Sequence, residues 1–438
     1  MAFFYANTFL MNRTSCLPIV ILLTAMTYCQ SPNGQNGAGN LSYAVLAEEI
    51  DTLIAEKASS ELVFAVVGGG KNAFLTDKSG TIHKSWIFER SLGNDLKLLP
   101  SGDVLAMFKA DNPEFTFGGG YSGLTQIISP SGEVLWQFEY RTADLLSHHE
   151  SVFLPNGNLL MLAWERIPAS EARKHGAVTE NDLFPEKIIE VDTATSEIVW
   201  QWRSWDHIAQ DKDLLAENYG DLFDLRNRID INYNLRKDGD IMHANGLLYD
   251  EDRDLIFMSV NHYSEVWVID HSTSSNETAM SRGGNYGVGG DLVYRFGNPE
   301  TFEGKGEVLF DRVHNPSLIP IGRRGAGHLM VYNNGLKAKA SQVMELELPE
   351  MTGEFISWQE PKVVWSFEDA NLSYGRISGA ERLSNGNTLI CEGDYGFWEV
   401  TYDKEVVWKY DGKDGTYWRG YSIDRMNPVI NNLGITLE

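Results

Sequence analysis

Cysteine is nearly absent from this chain, with three in 438 residues, at Cys16, Cys29 and Cys391. The first two fall in or at the end of an N-terminal apolar run, so no disulfide framework holds the body together. Cys391 lies inside the apolar run TLICEG, where a buried, inert thiol is expected. Long hydrophobic runs are scarce as well. The run CLPIVILLTAM after Arg13 is short for a membrane span and suits the core of a signal peptide. Residues 1–29 are thus expected to be an export signal ending at Cys29. That cysteine is either lipid-attached, as in a bacterial lipoprotein, or left by plain cleavage, with QSPNGQNGAGN as a tether. The expected location is outside the cytoplasm: periplasmic, held to the cell envelope, or secreted. Basic residues are also few, 36 against 61 acidic, for a net charge of −25. A field of that sign repels phosphate backbones and anionic lipid. Nucleic acid is excluded as a partner, membrane contact is left only to a lipid at Cys29, and an anionic substrate would need a locally positive pocket. The HxH and HExxH metal spacings and the ligand spacing of a calcium loop are missing too. No metal and no cofactor is assigned.

What the chain does have is enough apolar and aromatic content, 43% and 11%, for a large folded core. Residues Ser42 to Ser60 carry apolar groups at helical spacing and predict a short amphipathic helix, so 30–60 reads as linker and helix. From Glu61 to Glu438 the pattern is β. One phrase, a turn followed by alternating residues ending in an aromatic, returns six times, at Trp86, Trp136, Trp200, Tyr294, Trp365 and Trp408. A second phrase, strand, tight turn, strand, occurs as LLPSGDVLAM, FLPNGNLLML, LLYDEDRDLIFM, LIPIGRRGAGHLMVY and RLSNGNTLI. Its Asn-Gly and Ser-Gly pairs supply the positive φ that tight hairpins demand. Each unit is then about four strands. The expected fold is all-β, a six-bladed β-propeller with loop insertions, its ring closed by the strand near Trp418 to Asp424. The insertions are Arg166–Pro185, Ser204–Lys237 and His271–Gly290, expected together at one mouth of the channel.

Three histidines share one address in these units. His149, His243 and His314 each stand five residues before Leu154, Leu248 and Ile319, and Asn94 and Ser378 take the same place before Leu99 and Leu383. A repeat that needed only packing would fill this inner position with small or apolar groups. Three imidazoles there can bind a metal, supply a nucleophile with acid and base partners, or grip an anion once protonated. His148, beside His149, is expected to point the other way on a strand.

The segments HHESVFLPNGNLLMLA, DIMHANGLLYDEDRDLIFMSVNHYSEVWVID, GGDLVYRFGNP, HNPSLIP and SGAERLSNGNTLICEGDYGFWEVT resemble the bacterial arylsulfate sulfotransferases over about residues 75 to 425. The resemblance implies an exported six-bladed propeller that moves a sulfuryl group from an aryl sulfate donor to a phenolic or other hydroxyl acceptor, without a nucleotide sulfate. It further implies His314 as the nucleophile, sulfated in a ping-pong cycle, with His149 and His243 holding sulfuryl oxygens and shuttling the phenol proton. One position departs from the family: a sulfuryl-clamping arginine is replaced by Asn261. His262, Arg376 and Arg419 are the candidates to make up for it. The insertion around Trp205 and His207 suggests a substrate other than a simple phenol. Two rivals stay open, an inactive propeller that binds sulfated aromatics or polysaccharide, and a metal-dependent hydrolase.

Overall fold

The computed structural model describes residues 50–351, 359–413 and 415–437. The expected signal segment with Cys29, and the linker up to residue 49, lie outside the described residues. Six antiparallel sheets of four strands follow one another along the chain, with a fifth strand added to the last. Blade 2 runs Leu92–Leu98, Val104–Lys109, Gly123–Ile128 and Val134–Glu139; blade 3 runs Leu145–Phe153, Leu159–Glu165, Glu186–Val191 and Ile198–Arg203. Blade 4 is Ala244–Asp250, Leu255–Val260, Glu265–Asp270 and Tyr294–Phe296; blade 5 is Val313–Leu318, Leu329–Asn333, Gln342–Glu347 and Lys362–Phe367. Blade 6 is Gly379–Arg382, Thr388–Glu392, Gly396–Val400 and Val406–Asp411. Blade 1 holds Leu62–Val67, Asn72–Thr76 and Ile82–Ile87, and takes its inner strand from the C-terminal segment Tyr417–Ile423. The ring is therefore closed by pairing the two ends of the propeller.

Each aromatic phrase is a fourth, outer strand, and each hairpin phrase joins a first strand to a second. That explains why there are six copies of one and five of the other, since the inner strand of blade 1 is distant in sequence. The turn glycines Gly157 and Gly386 have φ of 90° and 88°, a region open to glycine at no steric cost. Trp202, Trp267, Trp398 and Trp418 are fully buried between sheets. Each covers roughly 200 Å² which, at about 25 cal/mol/Å², contributes on the order of 5 kcal/mol before the entropy cost. Cys391 is buried, and burial raises its thiol pKa.

Two expectations are corrected. The helix predicted over 42–60 is not formed in its described part. Ile50–Leu53 is a β-strand, paired antiparallel with Val406–Asp411 on the outer edge of blade 6. The spacing that resembles a helix face also permits alternation, and here an unpaired sheet edge supplied backbone partners that an isolated helix lacks. Short helices occur instead at Ala169–Lys174 and Pro428–Asn432. The three insertions also do not share one mouth. Arg166–Pro185 joins a second to a third strand and Ser204–Lys237 joins two blades, so both leave from the end where inner strands begin. His271–Gly290 joins a third strand to a fourth and leaves from the opposite end. It then lies along the outer strand of blade 3, where Trp200 Nε1 donates to the Thr273 carbonyl at 3.0 Å and Trp202 Nε1 to that of Gly290 at 2.7 Å.

Candidate active site

The inner strands of blades 3, 4 and 5 each lose register near their first residues, between His148 and Ser151, Ala244 and Gly246, and His314 and Ser317. These are β-bulges, which re-aim side chains. His149, His243 and Asn315 stand there at φ of 54°, 51° and 52°, unusual for residues other than glycine. One consequence corrects the expectation for His148. The bulge removes the strand alternation between neighbours, and His148 Nδ1 lies 2.8 Å from His149 Nδ1 in a hydrogen bond.

At this mouth is a cavity of about 520 Å³, and His149, His243, His314, Asn261, His262 and Arg376 all line it, with Asn94. Ser378 and Arg419 are not among its lining residues. Ser378 is buried and its Oγ accepts from Gly393 N at 3.0 Å. Arg419 is buried beside the site, its Nη1 on the Ser378 carbonyl at 2.6 Å. Trp205 is buried against the His175 ring, and His207 is held by Asp291 at 2.7 Å and the Thr278 carbonyl at 2.7 Å. Those two hold the insertions against one another and are not among the lining residues of this cavity.

Each histidine of the cavity has a different partner, and the partners separate their chemistry. His314 Nδ1 is 2.6 Å from Asn334 Oδ1. The amide nitrogen of Asn334 donates to the carbonyls of Tyr374, Arg376 and Ile377 at 2.7, 2.8 and 2.9 Å. Three acceptors fix which end of the amide is nitrogen, so His314 must carry its proton on Nδ1 and leave Nε2 as a free lone pair. Burial, then the Arg419 charge, holds its pKa well below the ordinary value. His243 is the opposite case, with Nδ1 bonded to Asp240 Oδ2 at 2.5 Å. Burial lowers its pKa, but the Asp240 charge and hydrogen bond outweigh burial and raise it. His262 stacks on His243 at 4.9 Å and 18°, donates from Nδ1 to the Asp240 carbonyl, and is pushed by burial down to about 3. His148 stacks on Trp164 at 3.8 Å, and its Nε2 meets Glu186 Oε2 at 2.9 Å.

The local positive pocket that the acidic chain required is present. Lys109, Arg236 and Arg312 line the cavity with Arg376. Arg312 matters most, because its Nη1 is 3.3 Å from both the carbonyl and the side-chain oxygen of Asn261. A cation thus stands at the position where Asn261 leaves none. A second cavity, of about 740 Å³, also includes His262 and Arg312 in its lining. Asp240, His243 and His262 offer donor atoms within 4.8 Å of one another, the metal-competent group among the described residues. Asp240 Oδ2 is bonded to His243 Nδ1, while its Oδ1 is buried without a hydrogen-bond partner. Asn334, Arg312, Asp240 and Glu186 all escaped the sequence reading. Only Asp240 and Arg312 had a local signal, lying three and two residues before a site histidine.

The family model for arylsulfotransferases (ASST) matches residues 54–418. The chain belongs to the arylsulfotransferase family. No curated protein matches this arylsulfotransferase. Solved structures similar to it include a putative 6-phosphogluconolactonase from Bacteroides fragilis, 13% identical, covering 84% of this chain and 99% of that one, with a TM-score of 0.41. A β-propeller domain from Myceliophteria thermophila is 9% identical, covering 87% and 97%, with a TM-score of 0.39.

Gly120, in the FGGGY loop, offers a test of how tightly the arylsulfotransferase site is built. Its φ is 77°, and a methyl group there would stand 2.2 Å from His149 Nε2. Gly120→Ala must displace the ring or the loop. Since a displacement of about 1 Å costs up to roughly 100-fold in rate, kcat is expected to fall roughly 10- to 100-fold, with some loss of thermal stability from alanine at a positive φ. Unchanged kcat would show that the His149 position is not demanding.

Proposed function

We propose that the protein is a nucleotide-independent aryl-sulfate sulfotransferase that carries the sulfuryl group on His314. The observation that supports this most is the Asn334 clamp, which leaves His314 neutral with a free Nε2 on the cavity wall. In the first half-reaction Nε2 attacks sulfur, the N–S bond forms as the S–O bond to the phenol breaks, and the phenolate leaves with a proton. In the second, an acceptor hydroxyl attacks the N-sulfohistidine and gives up its proton. Negative charge spreads over the sulfuryl oxygens in both, and preorganised donors stabilise it. The His243 imidazolium and the Arg312 guanidinium are the charged donors. With Arg312 at the Asn261 position, the inactive-binder reading loses its motive. The shared lining of the second cavity gives an acceptor an approach past His262. The export reading, resting on residues 1–29, puts the reaction outside the cytoplasm.

The test is intact-protein mass spectrometry after brief incubation with p-nitrophenyl sulfate. A gain of one sulfuryl group supports the covalent route; bound aryl sulfate without a mass gain supports the silent binder. Full activity after chelation counts against metal-dependent hydrolysis.

The pH profile carries a second prediction. Against burial, the pKa of His243 is raised by the Asp240 charge and hydrogen bond, so its imidazolium persists to higher pH than that of a free imidazole and is lost as pH climbs through the raised value. Activity should decline on the alkaline side. Asp240→Asn removes the raising charge, so the alkaline limb of kcat/KM is expected to move to lower pH. A limb that stays in place would take His243 out of the role.

A further inference from the structure

Glu186 has no part in the chemistry described so far, yet it is a deeply buried acid beside the site, 1% exposed on the third strand of blade 3. Its Oε1 accepts from Ala244 N at 2.7 Å, and its Oε2 meets His148 Nε2 at 2.9 Å. His148, fully buried, then reaches His149 Nδ1 at 2.8 Å. His149 lines the cavity and keeps Nε2 as its free nitrogen. Four heavy atoms at hydrogen-bond distance thus link a carboxyl sealed from solvent to an imidazole at the reacting site.

We propose that Glu186, His148 and His149 form a proton relay that lets His149 donate a proton in one half-reaction and accept one in the other. This rests on the transferase reading above. In the resting state Glu186 is a carboxylic acid. Its O–H donates to His148 Nε2, His148 Nδ1–H donates to His149 Nδ1, and His149 holds its proton on Nε2. As the S–O bond breaks, the leaving phenolate takes the Nε2 proton. His149 Nδ1 takes the proton from His148 Nδ1, and His148 Nε2 takes the one from Glu186. The phenol departs neutral, the carboxylate keeps the negative charge, and both imidazoles remain neutral with their protons on the other nitrogens. When the acceptor hydroxyl attacks the sulfohistidine, its proton enters at His149 Nε2 and the three shifts reverse. Each half-reaction balances, and no heavy atom has to move. The electrostatics agree with a neutral resting chain. Burial raises the Glu186 pKa well above the carboxylate range and lowers those of His148 and His149 well below the histidine range. A Glu186 carboxylate is eased by the imidazolium of His243 nearby.

Glu186→Gln tests this because the amide orientation is dictated. The Ala244 N–H requires an acceptor, so the amide oxygen takes the Oε1 place and the NH2 faces His148 Nε2, freezing His149 with its proton on Nε2. Glu186 acts through other residues, so the readout must be chemical. With p-nitrophenyl sulfate, whose leaving group needs no proton, the variant is expected to become sulfated within a few-fold of the wild-type rate. With phenyl sulfate, a poorer leaving group, sulfation is expected to slow by roughly 100-fold or more, the range of acid–base assistance. Transfer to an ordinary phenol acceptor should be slow, and transfer to a more acidic phenol, already ionised at the same pH, should approach the wild-type rate, since a phenolate needs no base. Equal slowing with both donors, or none with either, overturns the relay while leaving covalent transfer intact. Absence of sulfation in the wild-type protein overturns the transferase reading, and the relay with it. A measurement on the wild type guards against misfolding of the variant. Infrared difference spectra on sulfation by phenyl sulfate, whose leaving group takes a proton, should show loss of a protonated-carboxyl C=O stretch, and its persistence overturns the proposal.

Discussion

The His314→Ala variant is expected to fold, to bind aryl sulfate, and to show no mass gain with it. Turnover should fall by roughly 10,000-fold or more, the scale on which loss of a covalent nucleophile acts. The size of the loss follows from what the other residues cannot do. His149 and His243 have one nitrogen each tied to His148 and Asp240, and His262 stacks behind His243. None stands where Asn334 presents a neutral, oriented Nε2. Folding should survive because His314 faces a cavity and its loss opens no apolar core. Asn334 keeps its three carbonyl contacts and so keeps the loop of Tyr374 to Ile377 in place. Unchanged thermal midpoint with unchanged turnover would sink the assignment of His314. Lost sulfation with retained donor binding would establish it.

The architecture was legible because it is repetitive and local. Six aromatic phrases became six outer strands and five hairpin phrases became five inner pairs, since a period-2 pattern with turn residues between encodes strands and their faces within a dozen residues. The shared address of His149, His243 and His314 was legible for the same reason: equal offsets in equivalent strands converge on one axis. The partners of those histidines were not legible. Asn334 reaches His314 from just past the end of the next strand, Glu186 reaches His148 from 38 residues away, and the offset between His148 and His149 is set by a bulge. Bulges depend on what two strands do together, and no single stretch announces one. At Ile50–Leu53 the local spacing misled, because the deciding partner, Val406–Asp411, lies at the far end of the chain.

Arg312 is the residue on which the departure at Asn261 turns. In Arg312→Gln, kcat/KM is expected to drop roughly 100- to 1,000-fold, the loss that follows removal of one charge-stabilising donor from a preorganised site. Most of the drop should fall in kcat, since the charge on the sulfuryl oxygens grows toward the transition state. The side chain is half-buried, and burial together with neighbouring Arg236 lowers its pKa from the usual arginine value. A guanidinium in that setting faces less screening than one in water, so its attraction for an anion is stronger. Its contact with Asn261, at 3.3 Å, defines the geometry of a repair. Adding Asn261→Arg to Arg312→Gln returns a cation to nearly the same point from the neighbouring blade. At least tenfold recovery over the single variant is expected. If Arg312→Gln alone keeps full activity, charge at this point is dispensable, and stabilisation of the sulfuryl group must come from His243 and the remaining cations of the cavity. If the single variant fails and the double variant does not recover, the guanidinium of Arg312 contributes through its own backbone setting, where φ is 66° and its N–H is held by Ser264 Oγ at 3.1 Å. The comparison of the two variants therefore separates the need for a charge from the need for this arginine.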